Sequence, residues 1–454
     1  MDFYRANLGV LVATNAYLLW SQYRATKNGD EAAKSDPSLE ERGERAKAFA
    51  TENGRRFQLN FFLPYALAVA ADWLQGPHIY AIYKYDKNIP EKVVAALYAT
   101  GFVSGGISAS FAGGYADRFG RKRACLLYCA LYIATCLTML SNDLRVLFVG
   151  RFCGGISTTL LFSVFEAWMI SDYHAQCIAS ADLNLSAVFS TMTTLSCIVA
   201  IASGVVGDLL VAASGTRTWP FLAAAVCCVG AGCMIATKWN ENYGARSSDQ
   251  MASVEDIKAG VRAIVKDPKI LSLSITSCVF EGTMYLFIFF WSAALKSAQA
   301  FAGGGTTAGE LPFGLIFSCY MCAMMTGSAL FTRLKVAQGG VQGSLNMVMN
   351  VTLLVSCCLG LAVLLKDQRL LFWVFCLLEG CIGAYFPAMA CLKSELVDDS
   401  IRGRVYSILR FPLNAFVVIA HSLDEEGDGH RNTVFTVCGS LLLLAFLFTS
   451  KYSA

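Results

Sequence analysis

The 454-residue sequence predicts an all-α polytopic membrane protein, with two six-helix halves plus one extra N-terminal transmembrane helix. Three observations carry that expectation. Hydrophobic residues make up 56% of the chain and charged ones 15%, well below the roughly 25% charged residues of soluble domains. Thirteen apolar runs approach the length of about 20 residues that a bilayer-crossing helix needs. Between two of them lies a hinge at 113–123, GGYADRFGRKR, with five of its last seven residues charged. Such a cluster is too costly for the bilayer core and must be a loop in water.

The hinge also sets the orientation. Arg118, Arg121, Lys122 and Arg123 outweigh Asp117, which places the loop on the cytoplasmic side by the positive-inside rule. In chain order, the first apolar run is 8–20, with shoulders out to Tyr23. It is short enough to suggest a signal peptide. The segment that follows, 24–56, carries eight Lys/Arg and seven acids with no core pattern, and it reads as a polar linker. Two crossings, 57–83 and 93–115, separate this linker from the cytoplasmic hinge, so the linker is cytoplasmic too. The first run, residues 1–23, is then an uncleaved anchor with its N-terminus outside.

After the hinge come runs at 124–140, 146–170, 183–211 and 219–237, closing a six-helix half over 57–238. A mixed-charge cytoplasmic loop, 239–269, precedes the second half, 270–454. Its runs are 270–295, 312–332, 344–365, 370–392, 405–422 and 433–450. Parity places Arg333, Lys335, Lys393, Arg402 and Arg404 on inner loops, the acidic loop 424–428 outside and the C-terminus inside. Two equal halves around a long inner loop suggest internal duplication. Arg151 with Gly155 and Glu379 with Gly383 share a four-residue spacing in the fourth helix of each half.

Several function classes are excluded. A net charge of +3 with its basic residues in loops does not point to nucleic acid. No G-x-x-x-x-G-K-[ST] loop is present, so no nucleotide or other cofactor is expected and transport would be secondary. The 18 cysteines lie mostly inside apolar runs, as at Cys227, Cys228, Cys357 and Cys358, and read as small core residues rather than metal ligands or disulfides. An intramembrane aspartyl hydrolase needs two aspartates in reach, and only Asp72 lies within a span.

Gly113, Asp117, Arg118, Gly120, Arg121 and Lys122 match G-x-x-x-D-[RK]-x-G-[RK]-[RK], which resembles the hinge motif of the major facilitator superfamily. Gly120 permits a tight turn, Asp117 can cap the next helix, and the basic cluster can latch inner helix ends. The resemblance implies a gating role for Asp117 and Arg121. A narrower likeness rests on ADWLQGP (71–77), GRFCGGISTTLLFSVFEAW (150–168), FEGTMYLFIFFW (280–291), PFGLIFSCYM (312–321), YFPAM (385–389) and RFPLN (410–414). These strings resemble the eukaryotic molybdate-anion transporter family, which implies import of molybdate at the plasma membrane. Such a protein would work as a monomer in the lipid bilayer.

The ionisable residues inside spans are Asp72, Arg151, Glu166, Glu281, Glu379 and Arg410, and each costs about 2.5–3.5 kcal/mol at a helix centre unless paired or wetted. All but Arg410 fall on core helices one, four, seven and ten, which line the central cavity in the superfamily fold. They therefore read as a substrate site. Arg151 is the first choice for anion binding, since a guanidinium stays charged when buried and its fork fits a tetrahedral oxyanion; the competing reading is a structural arginine paired with Glu379 or Glu166. Arg410 is either a second ligand or an inner latch for Asp117. Four acids beside a dianion must be neutralised by arginine or carry protons, which makes protons a candidate coupling ion, with Glu281 and Asp72 as carriers. The same fold could hold sulfate, an organic solute, or a receptor without transport. Pro77, Pro387 and Pro412 can bend their helices, and His78 and His421 are expected to be satisfied or water-facing.

Overall fold

The computed structural model describes residues 2–33, 44–109, 111–175, 185–244, 261–262, 264–302, 311–338, 340–396, 412–421 and 427–453. Arg402, Arg404, Arg410 and most of the 239–269 loop lie outside them. Described residues form α1 (Asp2–Ala33), α2 (Glu44–Gln75), α3 (Glu91–Ala109), α4 (Ala112–Phe119), α5 (Arg121–Thr138), α6 (Leu144–Ala175), α7 (Leu185–Ser214) and α8 (Trp219–Lys238). They continue with α9 (Pro268–Ala302), α10 (Phe313–Gln338), α11 (Gly340–Leu364), α12 (Gln368–Leu396), α13 (Pro412–His421) and α14 (Asp428–Ser453). Helix thus occupies both ends of the 24–56 segment.

Among the described residues, α3, α6 to α12 and α14 contain nine helices long and apolar enough to cross a membrane. The 18-residue α5 begins with Arg121, Lys122 and Arg123, which dilute its apolar stretch. In α2, Asn60, Asp72 and Gln75 have the same effect. Large apolar side chains remain outside, with Val226 71% and Leu364 75% exposed. Such a surface suits hydrocarbon rather than water.

Two units are formed. The N-terminal unit comprises Val12–His78 and Ile107–Arg246; the C-terminal unit comprises Met1–Leu11, Ile79–Gly106 and Ser247–Ala454. Their border at His78 falls where Pro77, which lacks an amide hydrogen, follows Gly76, and α2 tightens into a 3-10 turn over Gly76–His78. In the N-terminal unit the core is an aromatic stack. Trp168 and Trp239 lie face to face at 3.7 Å, and Phe61 stacks on both.

α3 is seated in the C-terminal unit by its own aromatics. Tyr98 meets Phe289 edge-on at 4.9 Å, and Phe102 meets Tyr285 at the same distance. His421 joins this cluster 4.7 Å from Phe289. Of the two expected alternatives, satisfied or water-facing, His421 is not water-facing: it is 3% exposed, hydrogen-bonded to the Val417 backbone and packed among aromatic rings. His78 departs from both alternatives, being 1% exposed with neither ring nitrogen bonded among the described residues. Elsewhere in this unit α10 and α12 touch backbone to backbone, since a side chain on Gly383 would begin 1.8 Å from the Met324 carbonyl oxygen.

Candidate functional site

In the N-terminal unit, α2 turns Asp72 toward α5. Tyr132 donates its hydroxyl to Asp72 Oδ1 at 3.0 Å, with the Ala71 carbonyl as a weaker acceptor at 3.3 Å. Gln75 Nε2 donates in turn to the Tyr132 oxygen, and Tyr128 anchors the neighbouring turn through the Ala68 carbonyl at 2.8 Å. α6 lies against α5, where Thr135 donates to the Gly150 carbonyl at 3.2 Å. The next residue, Arg151, is close enough to Asp72 for their charges to interact. A cation and an acid from the expected set therefore lie within electrostatic reach of each other here. Glu166, 15 residues further along α6, is displaced by about 22 Å at 1.5 Å per residue and is exposed.

In the C-terminal unit, the second cluster forms around Glu281 on α9. Ser277, one turn earlier, donates to Glu281 Oε1 at 2.6 Å, and Tyr385 of α12 donates to the same oxygen at 3.3 Å. Lys393 Nζ lies 2.8 Å from Ser277 Oγ and 3.5 Å from Glu281 Oε1. The expectation that Lys393 lies on an inner loop is corrected. Helix α12 outlasts its apolar run by a turn, and the four-carbon stem of the lysine reaches back along α9. Glu379 sits about 21 Å up α12 from Lys393, 14 residues earlier. It is 6% exposed beside Tyr320 and, among the described residues, has no ion-pair partner. Arg410 is outside the described residues.

The hinge is built as a cradle. Gly120 takes φ +110°, and α5 starts after it with no side-chain cap from the preceding residues. Glu241, just past α8, supplies the cap instead, accepting from the Lys122 amide at 2.8 Å and the Arg123 amide at 3.3 Å. A carboxylate at a helix N-terminus satisfies orphan amides and opposes the helix dipole. Asp117 does not cap α5. It binds Arg121 at 2.7 Å, while Arg121 also donates to the Ala167 carbonyl at 3.2 Å. Lys122 Nζ reaches the Ala236 carbonyl at 2.9 Å. Arg118 and Gly113 are exposed, and nothing lies within 4 Å of where a Gly113 side chain would start.

Reading only ionisable residues inside apolar runs missed Tyr132, Gln75, Ser277 and Tyr385, which are uncharged, and Glu241, which lies in a loop. One signal was present. Ser277 and Glu281 are four residues apart, and such pairs share a helix face.

A family model described as sugar transporters with 12 transmembrane helices matches residues 32–421. Among curated proteins, the chain is similar to the molybdate-anion transporter of Xenopus tropicalis, with 30% identity over 402 residues, covering 87% of this chain and 85% of that protein. It is similar to the molybdate-anion transporter of Takifugu rubripes at 29% over 437 residues, covering 87% and 86%. Two solved structures share the fold at 12% identity. The nucleoside transporter NupG, as its D323A mutant, superposes with a TM-score of 0.69 over 87% of this chain and 99% of its own. The peptide transporter POT in complex with sulfate gives 0.67 over 87% and 94%. The chain is a membrane transporter, not an enzyme, and it belongs to the molybdate-anion transporter family of the major facilitator superfamily.

Proposed function

We propose that this protein imports molybdate across the plasma membrane by alternating access, with its N-terminus outside and its C-terminus in the cytoplasm. The observation that carries the reading is the 30% identity to a molybdate-anion transporter across 87% of the chain. The charge arrangement supports it. Arg151 has an acid, Asp72, at hand to balance its charge before an anion arrives. In this reading Arg151 replaces part of the hydration shell of molybdate, and the Asp117–Arg121 pair breaks and reforms as the carrier cycles. Asp72 and Glu281 are the candidate proton carriers of a symport, and Glu379 and Glu166 are the further acids of the proposed substrate set.

Uptake into proteoliposomes holding the purified protein, counted as molybdenum by elemental mass spectrometry, tests this. Saturable uptake that resists excess sulfate and is lost in Arg151→Ala is expected. Uptake indifferent to an imposed proton gradient would remove the symport but leave the import. The matching family model is described by sugars, so labelled sugars enter the same assay. Sugar uptake without molybdate uptake would overturn the substrate.

A further inference from the structure

Lys393 is a half-buried cation that the site expected from sequence did not contain. Its surroundings have a specific chemistry. The ammonium, the Ser277 hydroxyl and the Tyr385 phenol all converge on one oxygen, Glu281 Oε1, at 3.5, 2.6 and 3.3 Å. Phe280 stacks on the Tyr385 ring at 3.8 Å and fixes the phenol in place. One cation and two hydroxyl donors around a single anionic oxygen form the donor set that an oxyanion requires. Here the protein's own carboxylate fills it.

The pair is not an optimised structural bridge. Charge-assisted N–H···O bonds in well-formed pairs are about 2.7–2.9 Å long, whereas Lys393 is 3.5 Å from Glu281 and better bonded to Ser277, at 2.8 Å. Neither partner is sealed off, because the Lys393 and Glu281 side chains are 18% and 20% exposed. Two further described neighbours of Glu281 are uncharged. Cys278 faces Glu281 from the same helix, and α13 brings the apolar Phe416 against Gly282.

We propose that Lys393, with Ser277 and Tyr385, is an oxyanion-binding subsite of the C-terminal unit, and that Glu281 occupies it as a built-in competitor until a tetrahedral dianion displaces the carboxylate. This rests on the oxyanion reading above and gives Lys393 a ligand role within it. A ligand exchange differs in sign from a structural salt bridge. Removing the lysine weakens anion binding, whereas neutralising the glutamate strengthens it because the competitor is gone.

The test is calorimetric titration of molybdate, and separately sulfate, into the full-length protein in lipid nanodiscs. Lys393→Ala is expected to raise Kd by about tenfold or more, the loss of one charge-assisted contact. Lys393→Arg should stay within roughly threefold of wild type, since the cation is retained. Glu281→Gln should lower Kd by roughly threefold or more as the amide competes less for the ammonium. Should Lys393→Ala not fold, the neutral double variant Lys393→Met/Glu281→Gln replaces it, and weakened binding is expected there too. Wild-type binding that none of the lysine variants changes, or a Glu281→Gln variant that binds more weakly, overturns the subsite alone. A wild-type protein that binds neither anion overturns the oxyanion reading and the subsite with it.

Discussion

The carboxyl carbon of Glu241 lies 2.5 Å from the point where a side chain on Gly120 would begin. The hinge glycine is thus held by two independent constraints, the second being its φ of +110°. Gly120→Ala must strain the backbone and push away the acid that caps α5. Strain of this kind costs about 1–3 kcal/mol, and a lost cap adds about 1 kcal/mol. The variant is expected to unfold earlier than Glu241→Gln in a thermal melt of purified protein, since the amide keeps one acceptor and leaves the turn alone. Equal melting temperatures would refute this assignment.

Asp117 and Arg121 separate gating from stability. Their side chains are 45% and 16% exposed, and a partly solvated pair contributes only about 0–1 kcal/mol. Asp117→Asn should therefore leave the melting temperature within a few degrees of wild type. Uptake should fall severalfold, because the proposed cycle breaks and remakes this pair at each turnover. A variant that transports normally would reduce the pair to a local strut.

α1 is pinned to the C-terminal unit by its first turn. Tyr4 and Phe3 both meet Phe372 edge-on, at 5.2 and 5.6 Å, Gln368 donates to the Tyr4 hydroxyl, and Arg369 lies over the Phe3 ring. Tyr4→Ala removes a buried aromatic, with an expected loss of about 3–5 kcal/mol of local docking, while Tyr4→Phe keeps the ring and forfeits about 1 kcal/mol. Hydrogen exchange over residues 2–11 reads the difference. Fast exchange is expected in the alanine variant, near-native protection in the phenylalanine one.

The fold was legible because bilayer length and charge asymmetry act on whole runs of residues. The hinge shows the limit of that reading: its charges kept 113–123 out of the apolar runs as a loop, whereas Arg121, Lys122 and Arg123 form the first turn of α5 and only Gly120 breaks the helix. The sites were half legible. Asp72, Arg151 and Glu281 stood out as charges inside apolar helices. Lys393 did not, because its Cα lies beyond the apolar run and only its long stem returns to Glu281. Glu241 was hidden for a different reason. Its partners are main-chain amides some 120 residues earlier, and nothing in the local sequence around 239–244 records which helix end will lie opposite.

Tyr132 stands between two polar side chains, and its removal shows which of them depends on it. It donates to Asp72 Oδ1 and accepts from Gln75 Nε2, while Gln75 Oε1 already has no hydrogen-bond partner among the described residues. In Tyr132→Phe the Gln75 amide is left buried with neither end bonded, and each orphaned group costs about 1–3 kcal/mol. Gln75→Leu alone removes the orphan oxygen and should cost little. The two changes together should therefore be less destabilising than Tyr132→Phe by itself, a favourable coupling of about 1–2 kcal/mol by double-mutant cycle. Asp72 gives the cycle an internal control. Its lost donor is common to the single and double variants, so impaired uptake traceable to Asp72 should persist in both while stability recovers only in the double. Additive destabilisation would mean that Gln75 is satisfied through other contacts and that Tyr132 serves Asp72 alone.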